Sequence, residues 1–457
     1  MDVACTDMTR AYRSNLPGVV IIIMENWCQT PIFRAKIHRI MISYQNALRR
    51  IAAVCQPLES APTRLDELLG RAPVEDLCSK MNVPSFANSA MDGFALSAAD
   101  TARADSDTPI ELPVTGLVAA GQQPPEGISG QAVEIMTGAP IPAGYDTVIP
   151  VERIKAQREA NGTATLISCT EPVPANQHVR QAGQDFQLGQ TIFTHGHLLE
   201  PHHIMGLAAT GTDVVETRRK PRIALITTGS ELAMSGVPSG GGLIRDANSP
   251  YLRSFLTATN TDLIQTDFVT DDPHKLCAAI KACGDHADIV LTTGGASAGR
   301  FDLVPDAIKA LGGETIFHKV AMRPGKPLLF ARLDKNTLFF GLPGNPIAVA
   351  VGLRFFVLPA LRHLQGLVSE QFLPTICAEP ISSKPGMTFF GKARTEPDTK
   401  GYWRTRLLPG QESFKINSLM QANCWAIVPE GTVDVAAGEC IKIAPLYPNG
   451  LPNGLLR

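Results

Sequence analysis

The stretch Ala287–Asp302, ADIVLTTGGASAGRFD, decides the fold. Ile289-Val290-Leu291 is a short, apolar, β-branched run, the pattern of a strand buried on both faces. It breaks into Thr292-Thr293-Gly294-Gly295, small residues continue to Gly299, and a helical pattern follows over 303–311. A buried strand that ends in a glycine- and hydroxyl-rich turn before a helix is one arm of an α/β sheet. Such a turn lets backbone N–H groups converge on an anion, and the helix start adds partial positive charge. Asp302 is an oxygen donor of the kind a hard cation takes. Alone, the stretch is equally a tight turn with no ligand.

Two further stretches repeat the pattern. Pro221–Glu231 reads PRIALITTGSE, and Leu338–Val351 reads LFFGLPGNPIAVAV. Each is a buried run followed by a glycine loop. In a parallel sheet the loops after the strands share one edge, where such sheets bind ligands. From 222 to about 365 strands and helices alternate: strand 222–227, helix 248–259, strand 263–269, helix 273–283, strand 288–292 and helix 303–311. A strand near 315–320, a strand pair at 327–331 and 337–341, and a long helix over 346–364 complete a doubly wound α/β domain. Asp271-Asp272-Pro273 closes one strand and caps a helix, which accounts for one of the two acids. Lys319, Arg323 and Lys326 surround a Pro-Gly turn and form either a solvated basic hairpin or an anion-binding cluster.

The flanks differ from this centre. At 457 residues the chain exceeds a single core, and its net charge of −2 gives no sign of general nucleic-acid binding. No run approaches a membrane span. Ten cysteines without a CxxC pair read as reduced thiols of a cytoplasmic protein. Residues 1–40 lack sustained periodicity and are expected to be a disordered extension, with Met41 the working start. The spacing of Ile42, Ala47, Leu48, Ile51 and Val54 predicts a helix, and 64–81 and 199–215 continue in helical style. Residues 84–95, PSFANSAMDGFA, are either a linker with a turn at Asp92-Gly93 or an ordered loop presenting Asn88, Ser89 and Asp92. Residues 110–192 are β-like and carry a rigid turn at Met136-Thr137-Gly138-Ala139-Pro140 and an Arg-Gln-Ala-Gly-Gln-Asp run ending at Asp185. After Gly366 short strands return and predict a small C-terminal barrel or sandwich, with a loose tail after Pro448.

Seven of these segments, in order, resemble the molybdopterin molybdenumtransferases, the MoeA family that includes the gephyrin E domain. They are Asn88–Gly93, Met136–Pro140, Gly183–Asp185, Thr228–Leu232, Thr293–Ser297, Arg323–Pro327 and Gly341–Pro346. The resemblance implies a multidomain α/β plus β fold. A MogA-like α/β domain spans 219–366 and a mostly-β domain 86–179. An elongated helical/linker domain is made of 41–85 with 180–218, and a β-barrel-like domain spans 367–457. It implies a homodimer whose cleft is shared between subunits, contact with the molybdopterin adenylyltransferase and molybdoenzyme-maturation proteins, and no nucleic-acid or membrane partner. The implied reaction inserts molybdenum from molybdate into adenylylated molybdopterin and releases AMP with Mg2+.

By motif match, Asp92, Thr137, Asp185, Glu231, Asp271 and Asp302 take the cleft positions, with Glu231, Asp271 and Asp302 on the metal side. Substrate binding falls to Ser89, to Thr228 and Gly229, to Thr293, Gly294, Gly295 and Ser297, and to Pro343, Gly344 and Asn345. Lys319, Arg323 and Lys326 bind molybdate or phosphates; Lys392, Arg394 and Ser413 come from the last domain. The sequence departs from the family at Ala87, Gln184, Ser230 and Arg300, where acids are usual, and at Arg323, where a lysine is. These losses of negative charge support one alternative, a non-catalytic or altered-substrate paralogue acting as a molybdopterin-binding scaffold. A second, the adenylyltransferase itself, has no use for the additional β domains.

Overall fold

The sheet predicted around Ile289–Thr293 is six-stranded. A computed structural model describes residues 41–233, 242–294, 303–333 and 336–447. The strand order is Asp262–Val269, Arg222–Thr228, Ile289–Thr293, Leu338–Leu342, Leu329–Arg332, Glu314–His318. The first four strands run parallel, and Leu329–Arg332 runs antiparallel to both of its neighbours, Leu338–Leu342 and Glu314–His318. Burial explains the layering. Ile223, Leu225, Leu291 and Phe340 face one core, with Leu252, Phe255 and the helical run Pro346–Leu364. Their neighbours Ala224, Ile226, Val290 and Phe339 face a second core, with Leu276, Ile280, Val304 and Ile308. Alternate residues of a strand point to opposite faces, so continuous apolar runs demand helices on both. Each fully buried Phe or Leu in these cores contributes roughly 1.5–3 kcal/mol of apolar burial.

The helix expected from Ile42 onward forms over Tyr44–Val54 and buries Tyr44, Ala47 and Ile51 in the α/β core. Three expectations are corrected. Residues 64–81 are not a helix. Ser60–Arg64 pairs antiparallel with Val214–Arg218, and the following turn of 3-10 helix, Leu65–Glu67, stops short of Gly70, which sits at φ +72°. The helix expected over 199–215 covers only Pro201–Ala209, because 214–218 is claimed by that strand pair. Also, one run reaches spanning length: Pro346–Leu364 has 19 residues and a mean hydropathy of 1.6, and 83% of it is buried within the protein, as the core helix of this domain.

The mostly-β domain is a six-stranded sheet in the order Thr147–Pro150, Gly93–Leu96, Ala132–Ile135, Ile110–Val118, Ala164–Cys169, Lys155–Arg158. The C-terminal domain is a closed five-stranded barrel. Thr388–Pro397 pairs with both Trp403–Leu407 and Cys424–Val428, and Leu373–Cys377 and Cys440–Pro445 complete the ring. Met322–Arg323, from the basic turn, joins this sheet beside Thr388 and Phe389. Phe390, Trp425 and Ile427 of the barrel share the core of the α/β domain. The basic turn and the barrel are thereby fixed to the sheet that carries the glycine loops. The expected extension over 1–40 and the tail after Pro448 lie outside the described residues.

Candidate active site

The sheet order places the site. From Arg222–Thr228 the chain moves outward to Asp262–Val269, then returns to Ile289–Thr293 on the other side. The strands ending at Thr228 and Thr293 are neighbours across this switch point, where doubly wound sheets leave a crevice. The loop after Leu342 lies on the next strand. At Gly294, φ is +91° and a Cβ would lie 2.3 Å from the Thr228 carbonyl oxygen. A Cβ at Gly344 would lie 3.9 Å from the Gly294 Cα. The three glycine loops thus form one surface of closely approaching backbone.

Asn248 ties them together, and sequence reading missed it. Its Nδ2 donates to Thr293 Oγ1 at 3.0 Å and to the Gly344 carbonyl at 2.8 Å. Its Oδ1 is buried with no partner among the described residues. Asp246 Oδ1 accepts from the Asn248 and Ser249 amides at 2.9 and 3.1 Å and fixes the start of the helix Asn248–Thr257. The available signal was the run Asp246-Ala247-Asn248-Ser249 after a short extended segment. Four polar and small residues there read as an ordinary turn.

The acids separate by role. Asp272 is the cap of the helix Pro273–Gly284 and accepts from the His274 and Lys275 amides at 2.8 and 3.1 Å. Asp271 is free of that duty. Its Oδ2 accepts from the Ser230 amide at 3.0 Å and hydroxyl at 2.8 Å. Ser230, one of the departures, therefore orients a site carboxylate where an acid would repel it. The Glu231 carboxylate lies over Gly229, where a Cβ would come within 2.8 Å of its Oε2. Thr228 is buried and its hydroxyl points to the Thr293 carbonyl at 3.5 Å. Gly295, Ser297, Arg300 and Asp302 lie outside the described residues.

Lys319, Arg323 and Lys326 flank the junction between the α/β domain and the barrel, and none is paired with a carboxylate among the described residues. Arg323 is exposed, with its guanidinium carbon 5.5 Å from the Phe389 ring centroid, a stacking that a lysine would not reproduce. Ser413 reaches the glycine loops through its backbone: its carbonyl accepts the Ile347 amide at 3.0 Å, in the first turn of the helix that Asn345 starts after Pro343.

Three side chains assigned to substrate binding are engaged within the fold. Lys392 is 1% exposed and its ammonium donates to the carbonyls of Gly410, Glu412 and Lys415 at 2.6, 3.2 and 3.1 Å. All three donors are spent, so it holds the loop of Ser413 and binds no anion. Burial lowers its pKa. Arg394 is half-exposed and pairs with Glu396, which Arg406 also approaches at 3.7 Å. Ser89 is wholly buried and closes its own turn on Met91, donating to its carbonyl and accepting from its amide.

Asp92 and Thr137 come together as expected. Asp92 Oδ1 accepts from the Thr137 amide at 2.7 Å and hydroxyl at 2.8 Å, and these bonds hold its carboxyl below the usual range. Gly93 is required, since a Cβ there would lie 2.0 Å from the Ile149 carbonyl oxygen. Val179–Arg180 pairs with Asn88–Ser89, and the exposed Asp185 follows on the loop bonded to Val83 and Pro84. No hydrogen bond among the described residues links this patch to the glycine loops.

Comparison with known proteins settles the family. The molybdopterin molybdenumtransferase of Synechococcus elongatus is 36% identical over 414 residues, covering 89% of this chain and all of that protein. The chain belongs to the molybdopterin molybdenumtransferase family. The Bacillus subtilis molybdenumtransferase is 32% identical over 411 residues, 89% of this chain and 94% of that protein. Family models match as MoeA N-terminal region (domain I and II) over 42–211, probable molybdopterin binding domain over 224–363, and MoeA C-terminal region (domain IV) over 375–446. The crystal structure of the molybdopterin biosynthesis MoeA protein from Pyrococcus horikoshii OT3 superposes with a TM-score of 0.74 at 28% identity. The match covers 89% of this chain and all of that one. The protein is therefore a transferase of molybdenum cofactor biosynthesis, and the molybdopterin-binding match covers the switch-point loops.

Proposed function

We propose that the protein inserts molybdenum from molybdate into adenylylated molybdopterin in the cytoplasm and releases AMP. The observation that carries this reading is the junction of three glycine loops, pinned by Asn248, with the basic turn at Gly325 packed against the helix that follows Asn345 and its three cations without carboxylate partners among the described residues. A polyanionic substrate needs such a place. Backbone amides of a glycine loop cradle phosphate oxygens, while fixed cations neutralise charge without reorganising. Lys319 and Lys326 act as point charges and Arg323 as a planar fork suited to oxyanions.

Mg2+ fits the donor set. Glu231 and Asp271 are carboxylates at the switch point, and Mg2+ is commonly held by one or two carboxylates plus substrate phosphates. Among the described residues no trio of metal-ligating side chains is gathered; Asp302 would be the third oxygen donor. When bound, the cation polarises the phosphoryl bond that is cleaved. The chain's own work is to hold Asp271 in place through Ser230 and to keep the glycine-loop amides in register through Asn248.

Asp92, with Thr137 and Asp185, supplies a second polar patch. We assign it to the same cleft across a homodimer, each patch completing the glycine loops of the partner subunit. Contact with the adenylyltransferase that makes the substrate, and with the maturation proteins that receive the product, follows from a labile intermediate. Mixing two inactive variants, Asp92→Asn and Asp271→Asn, tests the shared cleft. Subunit exchange should restore about a quarter of wild-type turnover, because half of the dimers are mixed and each holds one intact site. No recovery in exchanged dimers would place both patches in one subunit's cleft.

A further inference from the structure

A second cavity opens where the α/β domain meets the barrel. It has a volume of about 380 Å3 and is walled by the helix Tyr44–Val54, the end of the long helix at Pro359, Arg362 and His363, the linker 367–372, and Lys442 of the last barrel strand. It shares no residue with the glycine-loop site. The long helix begins at that site and ends here, a span of about 25 Å at about 1.5 Å per residue. Among the described residues four cations line the cavity, Arg49, Arg354, Arg362 and Lys442, against one carboxylate, Glu370.

The carboxylate is already taken. Buried Arg354 holds Glu370 through two bonds of 2.7 and 2.6 Å, and its Nε donates to the Pro445 carbonyl at 2.9 Å. Arg362 donates only to the Val368 carbonyl, and Arg49 and Lys442 have no carboxylate partner among the described residues. His363 adds no further positive charge, since burial favours its neutral form. Tyr44 is 3% exposed, and its hydroxyl, within electrostatic reach of both partners of the Arg354–Glu370 pair, has no hydrogen-bond partner among the described residues. A buried hydroxyl normally has one. An excess of positive charge around an unsatisfied donor is a recess waiting for acceptor oxygens.

We propose that this seam cavity binds a small tetrahedral oxyanion of the phosphate class, free or as a monoester, which accepts from Tyr44 and is balanced by Arg49, Arg362 and Lys442. Its volume lies within the range of small-ligand pockets, about 300–1,000 Å3. Because its walls come from both domains, the bound anion ties the barrel to the α/β domain.

The test is calorimetric titration of the full chain with inorganic phosphate, and separately with glycerol 3-phosphate, at constant ionic strength. Tyr44→Phe, Lys442→Ala and the double variant Arg323→Ala/Lys326→Ala are run in parallel. Saturable binding is expected that weakens about tenfold in Tyr44→Phe and in Lys442→Ala, the value of one charge-assisted hydrogen bond, and persists in the double variant. Tyr44→Phe removes only an unpartnered oxygen, so its urea midpoint without phosphate should not fall; lost binding then cannot be lost folding. Tighter binding of the monoester would identify a metabolite as the occupant, and equal binding free phosphate. Loss in the double variant alone would overturn the proposal, place the anion at the glycine loops and leave the proposed function standing. Binding unaffected by Tyr44→Phe and Lys442→Ala, or no saturable heat, would also overturn it.

Discussion

Replacing Asn248 by aspartate probes the pin between the glycine loops. The change is nearly isosteric, but it turns the donor that reaches Thr293 Oγ1 at 3.0 Å and the Gly344 carbonyl at 2.8 Å into an acceptor. Loss of the two bonds costs about 1–3 kcal/mol at about 0.5–1.5 kcal/mol each. The new carboxylate also faces the surface assigned to the substrate's phosphates. At about 5 Å and an effective dielectric of about 20, two unit like charges repel by about 3 kcal/mol, or about a hundredfold in affinity. Asn248→Ala removes the same bonds without adding charge. Both variants should therefore lose stability in urea, Asn248→Asp the more because it sets a buried carboxylate against the Gly344 carbonyl, while substrate binding falls far more in Asn248→Asp. Quenched fluorescence or calorimetric titration with adenylylated molybdopterin separates them. Equal affinity for the two variants would refute the placement of the anion against Asn248, and wild-type urea midpoints for both would refute the pin.

Asp92→Asn should lower the unfolding midpoint only slightly, because its amide oxygen can still accept from Thr137, and suppress turnover; unchanged turnover would remove Asp92 from the cleft. Because Thr137 depresses the folded pKa of Asp92, the carboxylate's contribution is present above the unfolded value of about 3.9. It is lost only as pH falls through the lower folded value. A carbonyl NMR titration should accordingly place the Asp92 midpoint below that of a model peptide, and an unshifted midpoint would count against the Thr137 bonds. Gly294→Ala should abolish ligand binding in a chain that still forms its barrel, since the added carbon would meet the Thr228 oxygen at 2.3 Å in a left-handed backbone; binding at wild-type affinity would contradict that turn. Lys392→Met should destabilise the barrel by about 2–4 kcal/mol through three carbonyls left without a donor, read by urea unfolding monitored at the buried Trp425.

Much of the architecture was legible because periodicity and burial agree. The runs at Arg222–Thr228, Ile289–Thr293 and Leu338–Leu342 are apolar on both faces, and each ends in a glycine loop at the same sheet edge. The barrel and the six-stranded β domain were visible in short strands separated by turn residues. Other features depend on partners far along the chain. Residues 60–64 form a strand because 214–218 lies beside them, a pairing no local pattern encodes. Lys392 read as a binding cation because burial is invisible in sequence; folding brings it from the strand Thr388–Pro397 within reach of three carbonyls on the loop of Ser413. Ser230 read as a lost acid, whereas the fold uses its hydroxyl and amide to hold Asp271. Asn248 went unnoticed because an asparagine ahead of a helix is usually only a cap.

The central claim concerns chemistry at the glycine loops, and one incubation addresses it directly. The purified chain is mixed with adenylylated molybdopterin, molybdate and magnesium, and AMP release and molybdenum insertion are followed together. The account predicts that the two appear in step and that both fall in Asp271→Asn and in Asp92→Asn. Tight retention of the adenylylated pterin by a folded protein, with no AMP released over a range of divalent cations, would contradict it and leave a molybdopterin-binding scaffold on the same fold.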